Sequence, residues 1–320
     1  MDLSRKYVHL FELIKGCDSL LLAAHQKPDG DALGASTAIG HWLLAQGKKV
    51  TFFCKDKPAK SYSCLNHYLD FIDDPKAFDG QYDALIVLDS GTLSYCGIDQ
   101  LIGRLSPDCK VINFDHHKTN DGFGDLQFVD ATASSTSEMV AMFLKTNSQP
   151  VDSAIATSLM TGIMFDTSYF SNSATQGQSF SVVGDLLAAG ARTTEIAQTL
   201  LKNKEAGKLK LWGIALSRLK YNPKYDMAFT YIKQEDLALA EVGQDATEGM
   251  INFLNGVCGD AEAIMLLTQK DESTIKGSFR SIKTDVSKIA KALGGGGHKH
   301  APGFTIQGKI VETEKGVRVV

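Results

Sequence analysis

Unbroken runs of apolar residues recur through the first half of the chain and predict buried β-strands. These strands are expected at 20–24, 49–54, 84–88, 110–114 and 127–129. Apolar residues with helical spacing lie between and after them, and helices are expected at 3–16, within 29–47, and at 135–146, 151–164 and 176–189. Strands rich in Val, Ile and Leu that alternate with helices are typical of a parallel sheet covered on both faces. The first half is therefore predicted to be an α/β domain with a doubly wound, mostly parallel sheet.

The second half has a different pattern. Residues 193–219 are almost purely helical in character and predict a linker. Strands are then expected at 226–232, 261–268, 274–281 and 303–307, with helices at 245–256 and 285–293. This mixture predicts a second, smaller mixed α/β domain. The predicted organisation is a first domain over 1–192, a helical linker over 193–219 and a second domain over 220–320.

Composition narrows the class of protein. The chain has 320 residues, of which 43% are hydrophobic, enough to bury a sizeable core. A net charge of −4 argues against a protein that tracks along duplex DNA, but it permits a short anionic substrate. The six cysteines lack Cys-x-x-Cys spacing, which excludes zinc-finger and thioredoxin interpretations and suits a reducing cytosol. No apolar stretch approaches membrane-spanning length, so a cytoplasmic protein with no membrane partner is expected.

Potential metal ligands follow three of the predicted strands. His25 leaves the first strand, Asp89 follows the strand at 84–88, and His116 follows the strand at 110–114. Because open α/β sheets bind ligands just beyond the carboxyl ends of their strands, these side chains should meet at one edge. Two aspartates after His25 and one after the 151–164 helix complete the group. The predicted ligands are His25, Asp29, Asp31, Asp89, His116 and Asp166.

The chemistry of this set indicates which metal it binds. Carboxylates with two imidazoles and no thiolate favour Mn²⁺, with Mg²⁺, Co²⁺ or Zn²⁺ as alternatives. Two such ions about 3.5–4 Å apart suit in-line attack on phosphorus by an activated hydroxide. Each residue also has a purely structural alternative, because an aspartate after a strand is usually a turn residue or a helix N-cap. Asp29 or Asp31 would in that case cap the helix that begins near Ala32.

A glycine run in the second half is a candidate anion site. The first glycine, Gly294, would end the helix at 285–293, and the run leaves backbone N–H groups unobstructed for an anion. Arg280, at the end of a preceding strand, is suited to bidentate pairing with phosphate. The alternative is a flexible loop. The candidate phosphate-binding residues here are Arg280, Gly296, Gly297, His298 and His300.

Together these motifs resemble those of the DHH phosphoesterases. The motifs that carry the resemblance are His25-x-x-Pro-Asp29-Gly-Asp31-Ala-Leu-Gly, the strand ending at Asp89, Asp115-His116-His117 and Phe165-Asp166-Thr167. Gly294-Gly-Gly-Gly-His298-x-x-Ala-x-Gly303 resembles the glycine-histidine signature of the associated DHHA1 domain, although Pro302 replaces the second Ala of the usual pattern. The resemblance spans essentially the whole chain. In its size and two-domain organisation, the chain is similar to the bacterial nanoRNase and phosphoadenosine-phosphate phosphatase branch.

The resemblance implies roles for individual residues. One Mn²⁺ would be held by His25, Asp29 and Asp89, and the other by Asp31, Asp89, His116 and Asp166. Asp89, Asp115 and His117 would be the catalytic group: His117 would face the substrate phosphate or leaving oxygen, and Asp115 would orient the imidazoles. Arg280 and His298 would grip a terminal phosphate across an interdomain cleft. Ser135 belongs to a Ser-Ser-Thr stretch that would lie near the metals, or would instead cap the helix toward Met139.

The leading functional hypothesis is a manganese-dependent phosphoesterase. It would hydrolyse short oligoribonucleotides to 5′-mononucleotides and convert 3′-phosphoadenosine 5′-phosphate to AMP, with Tyr169 or Phe170 stacking on a base. The alternative enzyme is a phosphodiesterase for cyclic or linear dinucleotides such as c-di-AMP, pApA and pGpG. A non-catalytic nucleotide-binding module is the alternative from another class. A homodimer is left open.

Overall fold

The computed structural model describes residues 3–58, 62, 65, 71–172, 174–202, 206–259, 261–313 and 316–320. For residues 201, 202, 257, 298 and 316 it describes the backbone alone. The chain divides into two compact units, Met1–Asn203 and Lys204–Val320. The division lies inside the segment predicted as a linker.

The first unit is built on a six-stranded parallel sheet. Its strands are β1 (Ser19–Ala24), β2 (Lys49–Phe53), β3 (Phe71–Ile72), β4 (Ala84–Leu88), β5 (Lys110–Asp115) and β6 (Leu126–Val129), in the spatial order β3-β2-β1-β4-β5-β6. The chain order reverses between β1 and β4, where Ala24 pairs in register with Leu88. Open α/β sheets bind ligands at this reversal. The predicted fold class is confirmed.

The helices of the first unit cover both faces of this sheet. They are α1 (Leu3–Lys15), α2 (Gly30–Ala45), α3 (Leu93–Cys96), α4 (Thr136–Thr146), α5 (Ser153–Asp166), α6 (Gly177–Ala188) and α7 (Thr193–Ala197), and a π-helical turn follows over Gln198–Lys202. Along β1, Leu20 and Leu22 join one apolar cluster, and Leu21 and Ala23 join another on the opposite face. Burial on both faces explains why the strand sequences show no polar alternation.

Two glycines let the helices that carry the site approach closely. A Cβ on Gly34 of α2 would lie 2.5 Å from the carbonyl oxygen of Ser158 in α5. A Cβ on Gly162 of α5 would lie 2.6 Å from Oδ1 of Asp31. These contacts bring the N-terminus of α2 beside the C-terminal half of α5.

The second unit is a mixed α/β structure. Its helices are α8 (Ala206–Ser217), α9 (Gln234–Ala240), α10 (Met250–Val257) and α11 (Ser287–Ala292). Its strands are β7 (Lys220–Asn222), β8 (Met227–Ile232), β9 (Ala263–Gln269), β10 (Thr274–Ser281), β11 (Gly296–His298), β12 (Ala301–Gln307), β13 (Ile310–Thr313) and β14 (Gly316–Val319). The main sheet has the order β11-β12-β10-β9-β8-β7, and β13 and β14 form a separate hairpin.

Several elements escaped the sequence pattern. The strands β3, β7 and β11 are two or three residues long, too short for a periodicity to show. Gly296 and Gly297 pair with β12 as a strand. The sequence pattern favoured a turn here, because glycine has no side chain that could indicate a strand. Within the described residues, no helix is both long enough and apolar enough to cross a bilayer.

Candidate metal centre

Asp89 stands between two imidazoles at the sheet reversal. His25 directly follows β1, Asp89 follows β4, and His116 follows β5, three neighbouring strands. The Nε2 atom of His25 lies 3.6 Å from Oδ2 of Asp89, and the Nε2 atom of His116 lies 3.6 Å from Oδ1. Each carboxylate oxygen therefore faces a different imidazole, which is the arrangement needed of a residue that bridges two ions.

The backbone at Asp89 is held in an unusual conformation. Its φ angle of 57° is left-handed, which costs free energy for a residue with a side chain and is typical of functional sites. The Asp89 N–H donates to the carbonyl of Phe114 at 3.0 Å, and the Thr136 hydroxyl donates to Oδ1 at the same distance. These two bonds keep the carboxylate aimed between the histidines.

Asp29 combines both roles that the sequence left open. Its Oδ1 accepts hydrogen bonds from the N–H groups of Asp31 and Ala32, at 2.9 and 3.1 Å, and so caps α2. Its Oδ2 lies 3.8 Å from Nε2 of His25. Capping therefore uses one oxygen and leaves the other facing the centre.

Asp31 is fully buried at the N-terminus of α4. Its Oδ2 accepts from the N–H of Thr136 at 2.6 Å, and its Oδ1 accepts from the N–H of Ser137 at 2.9 Å. These donors are free because the first N–H groups of a helix have no partner within it. The same dipole end stabilises the negative charge.

Asp166 reaches the centre from the last turn of α5. Its Oδ2 lies 3.0 Å from Nε2 of His116, and its carbonyl oxygen accepts a hydrogen bond from the Asn172 amide at 2.7 Å. The structure thus brings all six predicted ligands together. Three groups of ligand atoms, each with all separations within 4.8 Å, are His25–Asp29–Asp89, Asp31–His116–Asp166 and Asp89–His116–His117.

The spacing of these atoms fits shared cations. Ligand atoms that each lie about 2.1 Å from one ion are about 3 to 4 Å from each other. The separations of 3.6 to 3.8 Å around His25 and Asp89 are too long for hydrogen bonds and fall in this range. The donor set is also one that divalent cations of the Mn²⁺ class accept.

The buried carboxylates of the cluster favour positive charge nearby, as the pKa values of its members indicate. Burial, followed by repulsion from Asp89 and Asp166, raises the pKa of Asp31 well above its usual value. Burial, partly offset by His116, raises the pKa of Asp166 to about 6. Burial disfavours the charged form of the imidazoles, but neighbouring carboxylates outweigh it and raise the pKa of His25 to about 12 and of His116 to about 11. Divalent cations would supply the charge that these protons supply in their absence.

His117 is held by a chain of buried polar groups. Its Nδ1 lies 2.7 Å from Oδ1 of Asp115, and Nε2 has no hydrogen-bond partner among the described residues. The Asn120 amide donates to Oδ2 of Asp115 at 2.6 Å, and Asn113 donates to Oδ1 of Asn120 at 2.9 Å. Sequence analysis missed both asparagines. Asn113 did carry a signal, since it is the one amide inside the apolar strand β5.

The Ser-Ser-Thr stretch has mainly a capping role. The Ser135 hydroxyl accepts from the N–H of Glu138 at 3.0 Å, and the side chain is completely buried. The structure therefore shows the capping role, and the contact between Ser135 and a substrate stays a prediction. Thr136, one residue on, is the member of the stretch that contacts a predicted ligand, Asp89.

In the second unit, Arg280 is fixed by two contacts. Its Nε donates to Oδ1 of Asn252 at 2.7 Å, and Nη1 donates to the carbonyl of Phe279 at 2.8 Å. Burial lowers the pKa of Arg280. Among the described residues, Nη2 has no hydrogen-bond partner. Asn252 was not singled out by the sequence.

The glycine run has a packing reason of its own. Gly296 pairs with Gly303 and Gly297 pairs with Pro302 in the β11–β12 hairpin, and Gly297 has a φ of 123°. A Cβ on Gly295 would lie 2.6 Å from Cα of Phe304. His300 Nδ1 lies 3.1 Å from the Ser281 hydroxyl. The side chain of His298 lies outside the described part of the chain.

Comparison with known proteins agrees with the motifs. The family model for the DHH family, N-terminal domain, matches residues 19–163, and the model for the DHHA1 domain matches residues 227–315. The chain is 28% identical over 305 residues to the bifunctional oligoribonuclease and PAP phosphatase NrnA of Thermus thermophilus, covering 93% of this chain and 87% of that protein. It is 26% identical to the protein of the same name from Bacillus subtilis, covering 93% and 92%.

A solved structure shows the same fold. The crystal structure of an exopolyphosphatase-related protein from Bacteroides fragilis superposes with a TM-score of 0.85 at 23% identity, over 94% of this chain and 90% of that one. Both family models match in the order in which the motifs occur, and the relatives span nearly the full chain. The chain contains a DHH domain followed by a DHHA1 domain, and its relatives indicate a metal-dependent phosphoesterase or nuclease.

Proposed function

We propose that this chain hydrolyses short oligoribonucleotides to 5′-mononucleotides with two Mn²⁺ ions, and that it also removes the 3′-phosphate of 3′-phosphoadenosine 5′-phosphate. The observation that carries the proposal is the position of Asp89, whose two oxygens face two separate imidazoles. A carboxylate in this position would hold two neighbouring ions, and paired ions suit phosphoester hydrolysis.

Two sets of residues would hold the ions. His25, Asp29 and Asp89 form the first set, and the second adds Asp31, His116 and Asp166 to the shared Asp89. When bound, the ions would neutralise phosphate charge and make a nucleophile available near neutral pH. Mn²⁺ is the proposed metal because the set mixes carboxylate oxygens with imidazole nitrogens.

His117 is the residue we assign to the reacting phosphate. Asp115 fixes its Nδ1, so the ring presents Nε2 to a phosphoryl or leaving oxygen. Burial disfavours the imidazolium, but the Asp115 and Asp89 carboxylates outweigh it and raise the pKa of His117. A proton on Nε2 would pass to the departing oxygen.

Arg280 is the residue we assign to the terminal phosphate of the substrate. Asn252 and the Phe279 carbonyl accept hydrogen bonds from its Nε and Nη1, and its Nη2 would donate to the anion. Recognition of a terminal phosphate limits the enzyme to chain ends and short substrates. The activities in the names of the Thermus and Bacillus relatives support this choice of substrate.

The test is a comparison of rates with Mn²⁺ on a panel of substrates. The panel holds a five-residue RNA, pApA, pGpG, a cyclic dinucleotide, 3′-phosphoadenosine 5′-phosphate and pyrophosphate. We expect 5′-mononucleotides from the RNA and the linear dinucleotides, and AMP from the bisphosphate. Fast turnover of the cyclic dinucleotide with little of the RNA would favour the second-messenger alternative, and turnover of pyrophosphate alone would refute the proposal.

A further inference from the structure

An aromatic ring that the motifs do not include lies directly on a predicted metal ligand. The ring of Tyr95 stacks on the imidazole of His25, with centroids 5.0 Å apart and planes inclined by 21°. Tyr95 lies in α3, the short helix that follows Asp89 and the end of β4. Tyr95 therefore lies at the rim of the centre.

The position of Tyr95 is fixed by its backbone. The N–H of Tyr95 donates to the Thr92 hydroxyl at 3.0 Å, which caps α3, and Gly97 ends the helix with a left-handed φ of 70°. The Tyr95 carbonyl accepts from the N–H of Gln26 at 3.0 Å, and the Gln26 amide donates to the Ser94 carbonyl at 3.2 Å. These bonds join α3 to Gln26, the residue next to His25, and so hold the ring of Tyr95 against the imidazole of His25.

One face of the Tyr95 ring stacks on His25, and about half of the residue is exposed to solvent. His25 is 4% exposed, whereas Tyr95 is 52% exposed. Among the described residues, none forms a hydrogen bond with the Tyr95 hydroxyl. A tyrosine kept only to cover His25 would gain free energy by burying its outer face as well, since aromatic side chains contribute mainly through burial.

Tyr169 and Phe180 are exposed and Phe170 is half-buried, and each of them contacts another residue of the first unit. The Tyr169 hydroxyl donates to the Leu200 carbonyl at 3.1 Å. The ring of Phe170 packs on Phe180 with centroids 5.1 Å apart. Tyr95 is, among these residues, the one whose ring contacts a predicted metal ligand.

We propose that Tyr95 is a base-binding residue, and that a nucleobase of the bound oligonucleotide stacks on its outer face. This rests on the proposed function, because it requires a nucleotide phosphate at the metal centre. A base attached to that phosphate would lie no further than the length of one nucleoside from the ring of Tyr95, because that ring stacks on His25. Every base has a π-face, so this contact binds short RNA regardless of its sequence. It is an alternative to the prediction from the sequence that Tyr169 or Phe170 stacks on a base.

The test compares pApA with two analogues that lack one base each. The variants are Tyr95→Ala, Tyr95→Phe and Tyr95→Leu, with Tyr225→Ala as the matched control, since Tyr225 is an exposed tyrosine of the second unit. Tyr95→Ala should raise KM for pApA about 10- to 100-fold and change kcat little. Tyr95→Phe should behave as wild type, and Tyr95→Leu, which keeps an apolar cover on His25, should resemble Tyr95→Ala. For one of the two analogues, wild type and Tyr95→Ala should have the same KM.

Two results would overturn the proposal. Equal losses on pApA and on both analogues would show that Tyr95 does not contact a base. A lower kcat with weaker Mn²⁺ binding and an unchanged KM would show that it only supports His25.

Equilibrium binding of pApA, measured in parallel by calorimetry, separates this proposal from the proposed function. A wild-type protein that binds pApA without cleaving it, while Tyr95→Ala binds it weakly, would refute the proposed function and keep the stacking. A wild-type protein that neither binds nor cleaves pApA would refute both.

Discussion

The carboxylate of Asp115 and the imidazole of His117 are joined by a hydrogen bond of 2.7 Å between Oδ1 and Nδ1. Asp115 is fully buried, whereas His117 is partly exposed. Because Nδ1 is hydrogen-bonded to Asp115, Nε2 is the ring nitrogen that His117 can present to a substrate. The pair resembles the carboxylate–histidine pairs that set the orientation of imidazoles in other enzymes.

The first prediction concerns this pair. Asp115→Asn keeps the shape of the side chain but removes the charge that holds the His117 proton, so kcat should fall about 10- to 100-fold. Initial rates on pApA at saturating Mn²⁺ measure the effect. Asp121→Asn is a suitable control, because Asp121 is an exposed aspartate six residues away. An unchanged kcat in the Asp115 variant would remove His117 from the reaction.

The second prediction concerns the bridging carboxylate. Asp89→Ala removes a ligand from both sets, so the protein should bind less than two equivalents of Mn²⁺ and lose about three orders of magnitude in turnover, since the ions supply several kcal/mol of charge stabilisation. Equilibrium dialysis tests the predicted loss of Mn²⁺ binding, and rate measurements test the predicted loss of turnover. Asp99→Ala, an exposed aspartate in the same region, should change neither. Full metal loading in the Asp89 variant would contradict the two-metal assignment.

The third prediction separates anion binding from chemistry. Arg280→Ala should raise KM for pApA about 10- to 100-fold, the effect of losing a charged hydrogen bond of about 1.5–3 kcal/mol. The KM for ApA, which lacks the terminal phosphate, should stay as in wild type. Asn252→Ala should give a smaller effect in the same direction, because it frees the guanidinium that it now orients. Equal effects on both substrates would place the phosphate contact elsewhere.

The fourth prediction concerns stability in the first unit. The Tyr7 hydroxyl is buried and has no hydrogen-bond partner among the described residues, while its ring stacks on Phe114 with centroids 6.0 Å apart. Tyr7→Phe keeps the ring and removes the unpaired group, so the free energy of unfolding should be unchanged or rise by about 1 kcal/mol. Urea denaturation measures the change. A loss of more than 1 kcal/mol would show that the hydroxyl is satisfied in solution.

The same variant has a pH signature. Burial, followed by Asp130 and Glu138, raises the pKa of Tyr7 above its usual value of 10.0. The native state therefore keeps the proton to higher pH than the unfolded chain does, and the stability that this group contributes is present below pH 10 and lost as pH rises beyond it. Between pH 9 and 11, Tyr7→Phe should lose less stability than wild type. Parallel losses would contradict the shift.

The motif residues could be predicted because strand ends are readable from local patterns. His25, Asp89 and His116 each follow an apolar run, and parallel strands place such ends at one edge. Asp29 was ambiguous between a cap and a ligand, since both interpretations need the same local spacing, and the structure shows capping through one oxygen only. The supporting residues carried weaker signals, because Thr136, Asn120 and Asn252 act through partners that lie in other elements.

The amino-acid sequence by itself determined the fold class, the six metal-ligand candidates and their common edge, since these follow from hydrophobic periodicity and from residue types whose chemistry is local. Only the tertiary structure decided which oxygen of Asp29 faces the centre, that Ser135 is buried, and that Tyr95 lies on His25. Those facts depend on how separate elements pack, and a periodic pattern along one chain does not encode the distance between side chains on two different elements.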